Sequence, residues 1–413
     1  AYQTWGTAWV LLGGDTGIIP SRQVFAMDAE MGIAGNRIRA DLYYSDLDGN
    51  WNANGVAPYG EVADSVDMYP DVIVGRAPVE NTIEAEVFVE KVLTYEKTPP
   101  IDYTLKMLMA GEILWVDPYT DSGQGLNMID EECVPPRFDP IEKLYESLGN
   151  ESRESVLASI SCGNNFIFHD GHAYYYVMGA GDGSIYTEDA DTVSNAPRYS
   201  ILNSIGCWPA AIDKDCIAEH FINNPQGGCV AFIGNCRYGW GSPGNPGLGY
   251  SDKFQFEFAR QVFVEDAVHV GLALAMSKAV FVPFAGDENV YRWNEYQVNL
   301  LGDPEMPMWT DIPRQFEVEY PSSVVMNGDE VTVCVEYGGM AVRGARVCIM
   351  NETDLYCVGT TDESGSVTFS VSTTSPDSLS LTVTGYNYLP FTAKIPVTVS
   401  YTHLRAHETR HDL

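Results

Sequence analysis

Positive charge is scarce in this sequence: 23 Lys and Arg stand against 57 Asp and Glu, a formal net charge of −34 over 413 residues. A surface this acidic repels phosphate backbones, which argues against nucleic acid and anionic membranes as partners. Runs of 18 or more apolar residues are missing, so neither a transmembrane helix nor membrane insertion is expected. None of the nine cysteines forms a CxxC pair, which argues against a zinc ribbon. An odd number also leaves at least one thiol outside any set of disulfides. Long internal repeats and low-complexity segments are missing too.

What is present suits large folded cores. Apolar residues make up 45% and aromatics 12% of a chain long enough for two or three domains. Short, near-continuous apolar runs recur at Trp9–Leu12, Val72–Val74, Met107–Met109, Phe166–Phe168, Ile201–Ile205 and Val230–Ile233. Strands buried on both faces of a parallel sheet read this way. Helical patterns lie between them: a capping-box-like Asn81-Thr-Ile-Glu84 opens one, Asp215 to Asn223 is another, and a long helix is expected from about Phe254 to Phe281. The alternation predicts an α/β sheet with crossover helices. After Pro313 the pattern changes to period-two alternation with turns, at Val331–Val335, Ala345–Met350, Ser366–Val371 and Leu379–Val383. Such spacing predicts a β-sandwich of the immunoglobulin-like kind. Cys348 and Cys357 flank a turn-like Asn351-Glu352-Thr353-Asp354. Two readings stand, a hairpin disulfide in an oxidising compartment or two small buried residues.

The ends read as foreign to the fold. Ala1 is not a start residue, so the first part is expected to be N-terminally incomplete. Residues 401–413 carry three of the seven histidines, His403, His407 and His411, and read as translated adapter sequence, a non-native tail.

Two segments carry chemistry. In Asn165-Phe-Ile-Phe-His-Asp-Gly-His172-Ala173, an apolar strand ends in Gly-His. In Ser200-Ile-Leu-Asn-Ser-Ile-Gly-Cys207-Trp208, the next strand ends in Gly-Cys. If consecutive parallel strands are neighbours, both side chains emerge at one sheet edge, where ligands of open α/β sheets bind. An imidazole there can take the thiol proton and leave a thiolate nucleophile. Backbone N–H groups of Cys207 and Ala173 would face the developing oxyanion.

These residues resemble the catalytic segments of the gingipain family. The resemblance runs from about Val10 to Trp309 and includes Val10-Leu-Leu-Gly-Gly-Asp15, Asp41-Leu-Tyr-Tyr-Ser-Asp-Leu-Asp-Gly-Asn-Trp51, Tyr69-Pro-Asp-Val-Ile-Val-Gly-Arg76 and Asn299-Leu-Leu-Gly-Asp-Pro304. It implies a caspase-like α/β catalytic domain followed by an immunoglobulin-like module. The expected organisation is a first catalytic subdomain over 1–98, a second over 99–311 carrying Cys207 and His172, and the β-module over 312–400. The implied activity is that of a secreted or cell-surface cysteine endopeptidase acting on protein or peptide substrates, with secretion or surface-anchoring machinery as a further partner.

Further roles follow from the resemblance. Glu112 matches the acid that orients the histidine, and Trp240 the pocket-lining tryptophan. An acid at the base of the specificity pocket would favour a basic P1 residue; Asp117 and Asp121 lie in that region, and Asp121 is the candidate. The family has Gly where this chain has Ala173, so a backbone torsion that only Gly tolerates would be strained there. The chemistry requires no cofactor. Structural calcium is a further candidate at Asp46, Asp48 and Asn50, whose alternating oxygens suit a hard cation, although an Asx-turn loop reads equally well. A sortase-like transpeptidase and a catalytically inactive surface or adhesin module remain open as alternatives.

Overall fold

The computed structural model describes residues 1–398. The stretch 401–413, read as a non-native tail, lies outside the described residues. The chain divides into two compact units, Ala1–Ile312 and a second from Pro313.

The first unit is built on one eight-stranded sheet. Its strands in chain order are β1 (Trp9–Gly13), β2 (Ile73–Ala77), β3 (Met107–Gly111), β4 (Glu142–Tyr145), β5 (Phe166–Asp170), β6 (Ser200–Ser204), β7 (Cys229–Asn235) and β8 (Val298–Leu301). They lie in the order β1-β2-β8-β7-β6-β5-β3-β4. All pairings are parallel except β7 with β8. Strands β3, β5, β6 and β7 are buried at every residue, which is why each reads as an unbroken apolar run rather than an alternation. The sheet takes strands from both sides of residue 98, with no break in its pairing there.

The helices are α1 (Thr82–Lys97), α2 (Ser122–Glu132), α3 (Arg153–Cys162), α4 (Ile217–Asn223), α5 (Tyr250–Phe263), α6 (Val270–Ala279) and α7 (Val290–Gln297). Asn81 caps α1, its side chain accepting from Ile83 and Glu84 N–H, as its sequence predicts. Lys91 of α1 is buried and donates to the Phe221, Ile222 and Cys229 carbonyls, tying α1 to the end of α4 and to β7. The long helix expected from Phe254 to Phe281 is instead two, α5 and α6. Asp266 takes a left-handed φ of 55° between them, a conformation that interrupts a right-handed helix.

In the second unit a five-stranded sheet (Arg314–Gln315, Arg346–Met350, Tyr356–Thr360, Leu379–Gly385, Tyr388–Ile395) faces a second sheet that includes Asp329–Tyr337 and Ser366–Val371. Val331, Val333, Val335, Val347, Ile349, Phe369, Leu381 and Val383 from both sheets share one core. Cys348 pairs opposite Val358, and Cys357 opposite Ile349. Side chains alternate along a strand, so this register sends the two thiols to opposite faces. The hairpin disulfide reading is therefore corrected: both cysteines are free.

Candidate active site

Parallel pairing brings the C-terminal ends of β3, β5, β6 and β7 to one edge, and each delivers a different piece of the site. Beyond β3 comes Glu112, then a hairpin of Ile113–Val116 and Tyr119–Asp121. Beyond β5 comes Gly171-His172, leading into Ala173–Tyr174, which pairs antiparallel with Val177–Ala180. Beyond β6 come Gly206 and Cys207. Beyond β7 runs the loop through Arg237, Tyr238, Gly239 and Trp240.

The β5 and β6 ends are in contact. A Cβ on Gly206 would stand 2.6 Å from Ala173 Cβ and 2.8 Å from the Gly171 carbonyl oxygen, so only glycine fits beside the histidine segment. Asn235 at the end of β7 donates to the Ile205 and Gly206 carbonyls at 2.8 and 3.0 Å, fixing the approach to Cys207. The Cys207 thiol points at the Gly239 carbonyl, 3.9 Å away. Burial pushes this thiol above the usual range; the group at rest is a thiol, not a thiolate.

His172 is exposed. Its ring Nε2 lies 3.1 Å from the Leu114 carbonyl. A carbonyl only accepts, so Nε2 carries the proton and Nδ1 is the basic nitrogen. The ring also meets the edge of Trp115 at a centroid distance of 6.5 Å. Glu112, buried, is placed differently from the expectation that it orients the ring. Its Oε2 accepts the backbone N–H of His172 at 2.6 Å. Burial raises its pKa, opposed by that hydrogen bond and by the nearby His172. Gly171 and Gly179 crowd the same carboxylate, and a Cβ on Gly179 would stand 2.2 Å from Oε2.

The N–H groups expected to face an oxyanion are those of Ala173 and Cys207. The His172 carbonyl accepts from Gly179 N–H at 2.7 Å. Ala173, one residue on and opposite Met178, therefore falls in a non-hydrogen-bonded pair, which turns its N–H away from the partner strand. Ala173 is not among the positive-φ residues, so the strain anticipated from replacing glycine is absent. Cys207 N–H has no partner among the described residues.

The presumptive substrate residues separate. Trp240 is half-buried against Tyr238 (4.9 Å) and Trp293 (5.9 Å), and its buried Nε1 has no hydrogen-bond partner among the described residues. Asp117 is exposed at the hairpin turn. Asp121 is buried and its Oδ1 caps α2 by accepting Gly123 N–H at 3.0 Å, so it serves the helix rather than an open cleft. Sequence reasoning missed Asp252. The wall facing Trp115 is Gly241, which abuts Gly249, and a Cβ on Gly249 would lie 2.3 Å from an Asp252 carboxylate oxygen. Asp252 is buried, with its pKa raised to about 6 by that burial. Nothing in the sequence around Asp252 distinguishes it from other helix-start acids; only the stacked glycines reveal it.

In the loop that carries the calcium candidates, Asp46, Asp48 and Asp67 bring carboxylate oxygens within 4.8 Å of one another. The buried Asp46 accepts from Gly49 and Met68 N–H. Asn50 accepts from Asn52 N–H, an Asx turn.

Comparison with known proteins bears on the family and the fold. Residues 1–309 match the model of peptidase family C25. The Arg-specific cysteine proteinase gingipain R superposes with a TM-score of 0.75 at 17% identity, covering 96% of this chain and 86% of that one. The complex of gingipain pro- and mature domains from Porphyromonas gingivalis gives 0.74 at 18% identity, covering 96% and 88%. At these identities the likeness shows the fold. An uncharacterised protein of Archaeoglobus fulgidus is 24% identical over 199 residues, 41% of this chain and 47% of that relative's length. With the family model spanning all four of these strand ends and a gingipain-like fold around them, the chain belongs to peptidase family C25, a family of cysteine peptidases.

Proposed function

We propose that the chain is an endopeptidase in which Cys207 is the nucleophile and His172 the general base. The observation that carries this reading is the contact of Gly206 with Ala173, which holds the thiol-bearing and imidazole-bearing strand ends together. On substrate binding, Nδ1 of His172 takes the thiol proton and the thiolate attacks the scissile carbonyl. The N–H groups of Cys207 and Ala173 receive the developing oxyanion. The imidazolium returns its proton to the leaving amine, and a water activated by the same ring hydrolyses the acyl-enzyme.

The finer reading is a basic P1 residue. The indoles of Trp115 and Trp240 suit a guanidinium or ammonium, and Asp252 stands behind Gly241 and Gly249 from Trp115. We place the protein outside the cell or on its surface, in keeping with its acid excess and its resemblance to gingipains. The thiol chemistry calls for no cofactor, and a cation at Asp46, Asp48 and Asp67 would be structural.

The test is covalent labelling with peptidyl acyloxymethyl ketones carrying Arg or Leu at P1, the modified residue being read by mass spectrometry. Rapid labelling of Cys207 alone, lost in His172→Ala and faster with Arg, is expected. Labelling spread over several cysteines of a folded chain, or unaffected by His172→Ala, would sink the assignment.

A further inference from the structure

The residues that follow the two reactive groups build an aromatic wall of their own. Trp208 comes directly after Cys207, and Tyr174 lies two positions beyond His172. Their ring centroids are 5.6 Å apart. Tyr175 and Tyr176 continue the wall at 4.8 and 5.6 Å from Tyr174. Tyr174 and Tyr176 leave 42% and 43% of their surface exposed. Apolar surface gathered this way at a reactive edge marks a binding surface.

The wall is rigidly set. Trp208 adopts a left-handed φ of 68°, a costly conformation for a bulky side chain that persists only when its surroundings over-determine it. Here they do. Its N–H donates to the Arg237 carbonyl at 2.8 Å, and the Arg237 guanidinium lies 4.5 Å from the indole centroid. Arg237 is buried and gripped by both oxygens of Asp213 at 2.9 Å and by the Arg37 and Cys236 carbonyls. Strain spent on the residue beside the thiol positions that indole.

The chemistry also selects an occupant. Arg237 already draws the electron density of one Trp208 face, so a second cation on the other face is disfavoured. The rings meet at interplanar angles of 54° to Trp208 and 86° to Tyr176, offering both edges and faces, the arrangement aromatic partners adopt. We propose that Tyr174, Tyr176 and Trp208 form a second subsite, distinct from the cleft of Trp115 and Trp240, that takes an aromatic side chain on a substrate residue flanking P1. This rests on the reading of Cys207 as nucleophile, since that reading brings the substrate past Trp208, the next residue in the chain. The selectivity belongs to the wall, whichever residue the P1 cleft takes.

Binding tests this without turnover. Fluorescent peptides with one fixed P1 residue and Phe or Ala at each of P2, P1′ and P2′ are titrated against the full-length Cys207→Ala protein by anisotropy. Phe at one of these positions is expected to bind about tenfold tighter than Ala. Adding Tyr174→Ala, or separately Tyr176→Ala, should shrink that ratio towards one, and Tyr174→Phe should keep it. Both tyrosines are half-exposed, so their loss is compatible with folding, and circular dichroism confirms each variant. Equal affinities at all three positions, or a Phe preference that survives both alanine variants, overturn the subsite. A Phe preference in a protein whose Cys207 resists the ketone probes would instead overturn the nucleophile and leave the aromatic site standing.

Discussion

Glu112 holds the backbone of His172 rather than its ring: Oε2 accepts the His172 N–H at 2.6 Å, while the ring turns to the Leu114 carbonyl at 3.1 Å. The acid thus fixes the segment that carries both the base and the Ala173 N–H. An amide oxygen can accept the same N–H without the charge. Glu112→Gln is therefore expected to lower kcat/KM by about tenfold, the difference between a charged and a neutral acceptor. Glu112→Ala leaves a buried N–H unpaired and is expected to cost about a hundredfold or more. Equal losses in the two variants would mean that the charge acts on the imidazolium during turnover, not on the backbone at rest. Steady-state kinetics on a peptide substrate separates the two cases.

Gly206→Ala tests the contact between the strand ends. The added methyl would meet the Gly171 carbonyl oxygen and Ala173 Cβ, both well inside van der Waals distance. Backbone on one side cannot rotate away, so the Cys207 and His172 segments must part. A misplacement of about 1 Å at reacting groups costs about a hundredfold, and that loss in ketone labelling rate is expected with the fold retained. The double variant Gly206→Ala/Ala173→Gly removes one of the two clashes and should recover part of the rate. No recovery would show that the Gly171 carbonyl alone sets the spacing.

The sheet was legible because its central strands are buried on both faces, so their apolar runs stand out from any background. Strand β8 was less so: Val298–Leu301 follows a helix without a turn signal, and its antiparallel pairing with β7 is a tertiary choice. Cys207 and His172 were legible as ends of successive strands. The partner of Glu112 was not, because choosing between a backbone N–H and a ring depends on sub-ångström placement. Asp121 misled for a related reason. An acid two residues before a helical glycine reads equally well as a pocket floor or as a cap, and capping won. Asp252 and the Trp208 torsion left no local signal, since the first depends on how Gly241 and Gly249 stack and the second on Arg237, 29 residues on.

Glu151 gives a prediction about pH. It is buried, and neither carboxylate oxygen has a well-formed hydrogen bond among the described residues; the Glu146 and Gly181 backbones pull its pKa down only weakly. Burial, then the charges of Glu112 and Glu146, push its pKa up to about 8. In the unfolded chain it titrates near ~4.3. A carboxyl raised on folding binds its proton more tightly in the native state. The stability it contributes is present in full below the unfolded value and is lost as pH rises towards 8. Glu151→Gln is isosteric with the protonated form. It should leave the thermal midpoint nearly unchanged at pH 4 and raise stability by about 1–3 kcal/mol at pH 8. A benefit that does not grow with pH would show that Glu151 is ionised and solvated in the native protein.

Asp41 and Arg76 join two of the segments that carry the resemblance to the gingipain family. The Arg76 guanidinium, wholly buried, meets both Asp41 oxygens at 2.7 Å and spends its remaining nitrogen on the Gly14 and Ile19 carbonyls. Asp41 N–H in turn donates to Asn299 at the start of β8. One ion pair therefore joins β2, the segment after β1, and the strand where the sheet changes direction. Removing either partner strands a buried charge, and Arg76→Met or Asp41→Asn alone is expected to cost about 3–5 kcal/mol in urea unfolding. Asp41→Asn with Arg76→Met removes both charges, so its cost should fall well below the sum of the singles. It should still exceed zero, because the Gly14 and Ile19 carbonyls lose their donor in either background. A strictly additive double variant would mean that the two residues stabilise the sheet independently, through those carbonyls and Asn299, and that their pairing contributes nothing.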